Sequence, residues 1–243
     1  MNLETGGGTG RTAESAGVLL APALAVVREE AGRIEHVASR LADILQSGRQ
    51  VYAFGAGHSK APADELCSRA GGLVGFTSMN LDDLRTEPRP AHRQLSDSIP
   101  ERIPENGPAL LELYGVRAGD GLLIASQSGR NGAPVEMAVT ARAGGVYVVA
   151  ITSCEHSGAV PSRHPDGIRL LDVVDDVIDN HGPVGDAAIG LGNGSMVGAT
   201  STISGALIAQ LLAVATAQTL EQRGVDPRVI RSANLEDSGL GNP

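Results

Sequence analysis

Between residues 13 and 46 the apolar side chains Leu19, Leu20, Leu24, Val27, Ile34, Val37, Leu41 and Leu45 recur at helical spacing. That period predicts an amphipathic helix or a broken pair, with Pro22 near one boundary and Ser47-Gly48 as the stop. The first twelve residues are Gly-rich and polar, and read as a flexible tail. The pattern then changes from spaced to continuous. Residues 51–54 form a short apolar run, ended by Gly55-Ala56-Gly57-His58-Ser59, and residues 61–70 read as a helix closed by Gly71-Gly72. A second strand is expected over 73–76. The polar stretch 82–108, rich in Pro, Arg, Asp and Glu, reads as a long loop with room for one short helix, and loops of that length inside a domain are often functional. Residues 121–125 are another buried run, followed by Ser126-Gln127-Ser128-Gly129-Arg130-Asn131-Gly132 and a helix over 133–143. Further strands are expected over 146–151, ended by Thr152-Ser153, and over 173–178, ended by Asp179-Asn180-His181-Gly182-Pro183. A Gly-rich loop over 190–198 and a long Ala-rich helix over 202–223 complete the pattern, with a polar tail from Asp226.

Strands that alternate with helices at this spacing predict βαβ units, hence an α/β fold with a parallel sheet covered on both faces. Only one domain is expected, over residues 13–243, with no internal repeat. Composition agrees: 42% of the 243 residues are hydrophobic, but the aromatics are only Phe54, Phe76, Tyr52, Tyr114 and Tyr147. A core of Val, Leu, Ile and Ala suits buried parallel strands.

Charge narrows the partners. A net charge of −9 argues against nucleic acid, whose phosphate backbone attracts basic surfaces. A small anion is still compatible, because helix dipoles and a few arginines can hold one phosphate against a negative overall field. Cys67 and Cys154 are far apart and form no C-x-x-C pair, and the histidines form no H-x-x-x-H pair. No metal or other cofactor is therefore expected. The amino terminus lacks the apolar segment of a secretory signal, and no run of about 18 apolar residues suggests a membrane span. A cytoplasmic protein is the expectation.

In open α/β sheets ligands bind where the strands end. Here two strands end in Gly/Ser words. Glycines such as Gly57 let the backbone approach an anion, and the helix that follows presents free N–H groups. The first word lacks the third glycine of a dinucleotide fingerprint and the G-K-[ST] of a P-loop. The second offers two hydroxyls and an amide, from Ser126, Ser128 and Asn131, where capping alone needs one such residue. A serine nucleophile is not supported, since Ile124 and Arg130 stand where the glycines of G-x-S-x-G would be.

These words, together with Glu65-Leu66, Arg69-Ala70-Gly71-Gly72, Ala150-Ile151-Thr152-Ser153, His156-Ser157, Ser162-Arg163-His164-Pro165 and Asp179-Asn180-His181-Gly182-Pro183, resemble the SIS (sugar isomerase) domain. The resemblance is to its stand-alone, single-domain branch, related to phosphoheptose isomerase and to N-acetylmuramic acid 6-phosphate etherase, and runs from about residue 13 to residue 234. It implies a three-layer αβα sandwich around a five-stranded, parallel, flavodoxin-like sheet, with an N-terminal helical extension. It also implies a homodimer or homotetramer with shared sites, and a sugar phosphate as ligand. Ser126, Ser128, Gly129 and Asn131 inherit the phosphate, with Gly57, Ser59, Thr152 and Ser153 as further contacts. The family word ends in Thr where Asn131 stands; an amide can replace that hydroxyl as a donor. Within 82–108, Pro90-Ala91-His92-Arg93-Gln94 replaces the His-Glu-Gly word of the relatives.

Removal of a C2 proton beside a C1 carbonyl needs a carboxylate or imidazole near working pH. Glu65, on the helix after the first Gly word, and Glu101, in the long loop, are the candidate carboxylates. Asp64 points about 100° away from Glu65 on that helix. Among the histidines, His58 could open the sugar ring and His181 follows the last strand, whereas His156 and His164 read as structural. The resulting expectation is C2 proton abstraction on an (N-acetyl)amino-sugar 6-phosphate, leaning to elimination, as in a lyase or dehydratase. Aldose–ketose isomerisation and a non-catalytic phosphosugar sensor are the alternatives.

Overall fold

Five short strands make the sheet, and the three central ones carry the core because nearly every position along them is apolar and buried on both faces. In the computed structural model, residues 8–67, 69–85 and 99–232 are described. The strands are β1 (Val51–Gly55), β2 (Phe76–Met79), β3 (Gly121–Ala125), β4 (Tyr147–Thr152) and β5 (Asp176–Asp179). They pair in parallel in the order β2-β1-β3-β4-β5. This is the doubly wound, flavodoxin-like order predicted above.

Alternate residues face two separate cores. Val51, Ala53, Leu123, Val149 and Ile151 pack with α2 (Ala31–Gln46), α3 (Lys60–Leu66) and α7 (Ser201–Gln222), through Val37, Leu41, Leu66, Ile208 and Leu212. Tyr52, Phe54, Leu122, Ile124, Val148 and Ala150 pack on the other face with α4 (Asn106–Tyr114) and α5 (Gly132–Ala143), through Leu110, Val135 and Met137. The three layers follow directly, since a sheet that is apolar on both faces needs a helical cover on each.

The N-terminal helices differ from the expected pattern at three points. α1 (Gly8–Glu29) begins inside the stretch read as a tail. It also runs through Pro22, and the break falls at Glu30 instead. Ala23 and Val26, just after the missing donor, are buried, so packing of this face on α7 holds the helix together. The opposite side of α1 presents a second apolar stripe, Leu20, Leu24 and Val27, at 47%, 54% and 51% exposure.

Two further expectations are corrected. Leu73 does not open β2; it bridges Val229, and the segment after α7 pairs there through Gly71, Gly72, Val74, Arg228 and Ile230. The loop expected over 190–198 is an antiparallel hairpin of β6 (Ala187–Gly190) and β7 (Met196–Ala199). Of the polar stretch 82–108, residues 86–98 lie outside the described residues, including the divergent word around His92. The remainder forms short turns over Leu81–Leu84 and Pro100–Arg102 and the start of α4. By length and composition α7 could cross a bilayer, with a mean hydropathy of 1.5, but it buries Ile208, Ala209, Leu212 and Ala213 against this protein's own core.

Candidate functional site

A cavity of about 330 Å³ opens at the carboxyl ends of β1 and β3. Its wall includes Gly57, His58, Ser59, Glu101, Ser126, Gln127, Ser128, Asn131, His156, Asp186 and Ser201. This is the strand-end position that the doubly wound topology favours. Six expected residues from the two Gly/Ser words, together with Glu101, meet here.

The first word is shaped by one glycine. A Cβ on Gly55 would lie 2.0 Å from the carbonyl oxygen of Ser59, so the chain can fold back over β1 only without a side chain there. Gly57 then takes a left-handed φ of 59° and starts the short turn Gly57–Ser59 that leads into α3. His58 stands exposed at the mouth and Ser59 lies half-buried below it.

The second word makes the floor. The Gly129 N–H donates to Ser126 Oγ at 3.3 Å, which closes the loop while leaving the hydroxyl hydrogen of Ser126 to point elsewhere. Gly129 has φ 55°, and a Cβ there would press on Leu170, Ser157 and Thr152 at 3.3 Å. Asn131 sits at the N-cap of α5 but makes no side-chain capping bond. The N–H groups of Gly132 and Ala133 at the start of that helix therefore receive no cap from the Asn131 side chain, and they carry the positive end of the dipole.

Asn131 has a different task from the one expected of it. Its Nδ2 donates to Glu101 Oε1 and its Oδ1 accepts from Arg163 Nη1, both at 2.9 Å. The amide therefore orients Glu101, which is carried on the turn Pro100–Arg102. The other carboxylate oxygen, Oε2, lies 4.0 Å from where a Cβ on Gly57 would be, so the bare Gly57 leaves room beside it.

Several expected residues fall outside the cavity wall. Glu65 is turned along the seam between α3 and α7, paired with Arg69 and accepting from Gln210 Nε2 at 2.8 Å. Close helix packing explains this: a Cβ on Gly205 of α7 would meet Pro62 of α3 at 2.5 Å, and Pro62, Ala63 and Leu66 take the buried side. Thr152 and Ser153 are fully buried. Thr152 Oγ1 donates to the Gln127 carbonyl and Ser153 Oγ to the Gly182 carbonyl, so both fasten loops and neither faces the cavity. His181, at φ 53°, lies beside Glu30 and Asp179, on the side of the helix break. His164 is a buried partner of Glu136, at 2.8 Å, as its structural reading anticipated.

The structure adds three residues that the sequence did not single out. Gln127 lines the cavity, and its Oε1 accepts from Asn180 Nδ2 at 2.6 Å. Asp186, at φ 70°, caps α7: its Oδ1 accepts from the N–H groups of Thr200 and Ser201 at 3.0 and 2.7 Å. His156, taken as structural from sequence, reaches the cavity wall with its Nδ1 buried and without a hydrogen-bond partner. Burial pushes its imidazole below the usual histidine value; Asp186 pulls it back up and Arg130 pushes it down. Its only advance signal was its place in the word His156-Ser157.

The two thiols are not candidates for catalysis. Burial, followed by the charge of Asp64, pushes Cys67 up to about 12. Cys154 is an exposed residue, yet desolvation of its thiol by the neighbouring chain, followed by the charge of Asp179, pushes it up to about 12. Among the described residues no cluster of His, Cys, Asp and Glu could hold a metal ion.

Known proteins share this architecture. The model of the SIS domain matches residues 19–153. A UPF0309 protein of Halalkalibacterium halodurans is 39% identical over 203 residues, covering 83% of this chain and 82% of that protein. A UPF0309 protein of Streptomyces coelicolor is 38% identical over 210 residues, covering 86% and 82%. The structure of phosphoheptose isomerase from Neisseria gonorrhoeae superposes with a TM-score of 0.59 at 15% identity, covering 86% of this chain and 98% of that one. A phosphoheptose isomerase from Francisella tularensis gives 0.54 at 13% identity, covering 87% and 98%. The fold is thus that of phosphosugar isomerases, and the chain belongs to the SIS domain family, among its UPF0309 members.

Proposed function

We propose that this protein binds a sugar phosphate in the strand-end cavity and removes the proton at C2 with Glu101. The observation that carries this reading is the juxtaposition of the Ser126–Asn131 loop at the start of α5 with a carboxylate held over it by Asn131. The hydroxyls of Ser126 and Ser128 and the first N–H groups of α5 take the phosphoryl oxygens. Ser59 takes a sugar hydroxyl. His58, at the mouth, serves ring opening. His156, kept neutral by its burial, polarises the carbonyl oxygen as the enediolate forms.

The supply of acids and bases favours isomerisation as the outcome. Moving a proton from C2 to C1 needs one base that can return what it takes. Glu101 has one oxygen engaged by Asn131, whereas both oxygens of Asp186 already accept from Thr200 and Ser201. Expulsion of the C3 oxygen asks for a second group that protonates the leaving group, and a His156 imidazole kept neutral is a poor acid for that role. The ligand class and the two unpaired thiols go with a cytoplasmic setting. The second stripe on α1 goes with a homodimer, since an exposed i, i+4, i+7 apolar row is self-complementary about a two-fold axis.

The test is a panel of aldose and N-acetylhexosamine 6-phosphates in deuterated water. Proton NMR reads C2 exchange and ketose formation, and ultraviolet absorbance reads an enone from elimination. The expected result is exchange in the wild type, with exchange lost and ligand-induced thermal stabilisation kept in Glu101→Gln. Stabilisation without exchange by any sugar would instead identify a sensor. Undiminished exchange in Glu101→Gln would remove the base from the scheme.

A further inference from the structure

Three arginines meet beside the cavity with no carboxylate assigned to them. Arg102 follows Glu101 on the turn Pro100–Arg102, Arg130 lies in the floor loop, and Arg163 lies beyond α6 (Cys154–Ala159). The backbone draws them together around Asn131. The Arg163 N–H donates to the Arg130 carbonyl at 2.8 Å, so those two segments run side by side. The Arg102 carbonyl lies 2.9 Å from where a Cβ on Gly132 would be, which presses that turn against the start of α5. Arg163 Nη1 reaches Asn131, itself in the cavity wall.

The charge balance here is opposite to that of the rest of the protein. The chain carries 28 acidic and 19 basic side chains. Arg33, Arg69, Arg142 and Arg223 each have a carboxylate partner. Among the described residues none of Arg102, Arg130 and Arg163 is in an ion pair. Arg130 Nε is buried and has no hydrogen-bond partner. The mutual repulsion registers at Arg163: burial first, and then the charges of Arg130 and Arg102, hold its guanidinium below its ordinary value, with Glu101 opposing. Guanidinium groups present forked donors that match the oxygens of a carboxylate or phosphate, and clustered like charges gain most from a bound anion.

We propose that Arg102, Arg130 and Arg163 form a second anion subsite at the rim of the cavity, and that the substrate is a sugar phosphate bearing a second acidic group, a carboxylate or a second phosphate. This rests on the reading that the Ser126–Asn131 loop takes the first phosphate. It makes the arginines the determinants of which sugar phosphate is accepted.

Calorimetric titration with three probes tests it: glucose 6-phosphate, fructose 1,6-bisphosphate and 6-phosphogluconate. The two probes with an added acidic group separate phosphate from carboxylate as the preferred second anion. At least one of them is expected to bind the wild type roughly tenfold more tightly than the monophosphate, as charge-assisted pairing implies. Arg102→Gln, at an exposed side chain that makes no contact with Asn131 or Ser126, should remove most of that preference while shifting monophosphate affinity less than about twofold. Equal affinity for all three probes in the wild type, or equal losses for all three in Arg102→Gln, would overturn the second subsite. Ser128→Ala separates this from failure of the underlying reading. If it weakens the monophosphate and no preference exists, only the rim subsite falls. If no probe binds the wild type, both proposals fall.

Discussion

Asp186 holds Ser201 twice: Oδ1 accepts from its backbone N–H and Oδ2 from its hydroxyl, each at 2.7 Å. The residue thus acts as a remote cap, reaching the start of α7 from the loop after β5. It satisfies donors that the helix cannot and places a negative group at the positive dipole end. Asp186→Ala should therefore destabilise the fold by about 1–2 kcal/mol, the usual cost of losing a cap. Asp186→Asn, which tolerates left-handed backbone and retains a cap acceptor, should recover most of it. Urea unfolding of both variants checks this, and an Ala variant as stable as the wild type would contradict it.

Gly55→Ala should be among the most damaging single-methyl additions. The new carbon would sit 2.0 Å from the Ser59 carbonyl and 2.8 Å from the Lys60 nitrogen, both backbone atoms that cannot step aside alone. Overpacking of this kind costs about 1–3 kcal/mol, and here it would also displace Ser59 from the cavity wall. Gly17→Ala is the matched control. It lies in α1 with nothing within 4 Å of its added carbon, and should raise stability by about 0.5–1 kcal/mol. Thermal melts of the pair should move in opposite directions.

His156 should leave a signature in the pH dependence of stability. Its folded value lies below the ordinary 6.5, chiefly through burial. Between those two values the unfolded chain takes up more protons than the folded one, so stability rises with pH. Its contribution is fully present above 6.5 and is lost as pH falls towards the folded value. His156→Gln should flatten that part of the curve, measured as urea midpoints from mildly alkaline to mildly acidic pH. An unchanged slope would show that His156 does not titrate as its surroundings imply.

Leu24→Glu should turn a dimer into a monomer. Leu24 is 54% exposed in the middle of the outer stripe of α1, while Ala23 and Val26 on the inner side are buried. A charge there cannot be desolvated without a partner. Light scattering on the eluting protein should show the mass halved with helical circular dichroism kept. A monomeric wild type, or a variant of unchanged mass, would remove the α1 stripe as the interface.

The sheet was legible because buried parallel strands are written as continuous apolar runs, and Gly/Ser words marked where they end. The hairpin β6–β7 was not legible. Met196 and Val197 are exposed and Gly190, Gly194 and Gly198 interrupt it, so no alternation of buried and exposed positions survives in its sequence. The choice between Glu65 and Glu101 was likewise beyond helical spacing. The position of Glu65 outside the cavity wall is set by α7, more than a hundred residues downstream, whose Gln210 donates to its carboxylate. Asn131 was recognised as polar and well placed, but its orientation depends on Arg163, which local sequence does not bring near it. Asp186 stayed invisible, and His156 reads as structural in the sequence, for the same reason: each gains its place through residues distant in the chain.

Gln127 ties three strand ends into one frame. Its carbonyl accepts from the Ser153 N–H and the Thr152 hydroxyl, and its side chain accepts from Asn180. The floor of the cavity is consequently a braced lattice, with little slack to lose when a ligand docks. Capture should then resemble a key entering a finished lock: affinity is set by complementarity, and freezing of the floor contributes little to the heat or entropy of the event.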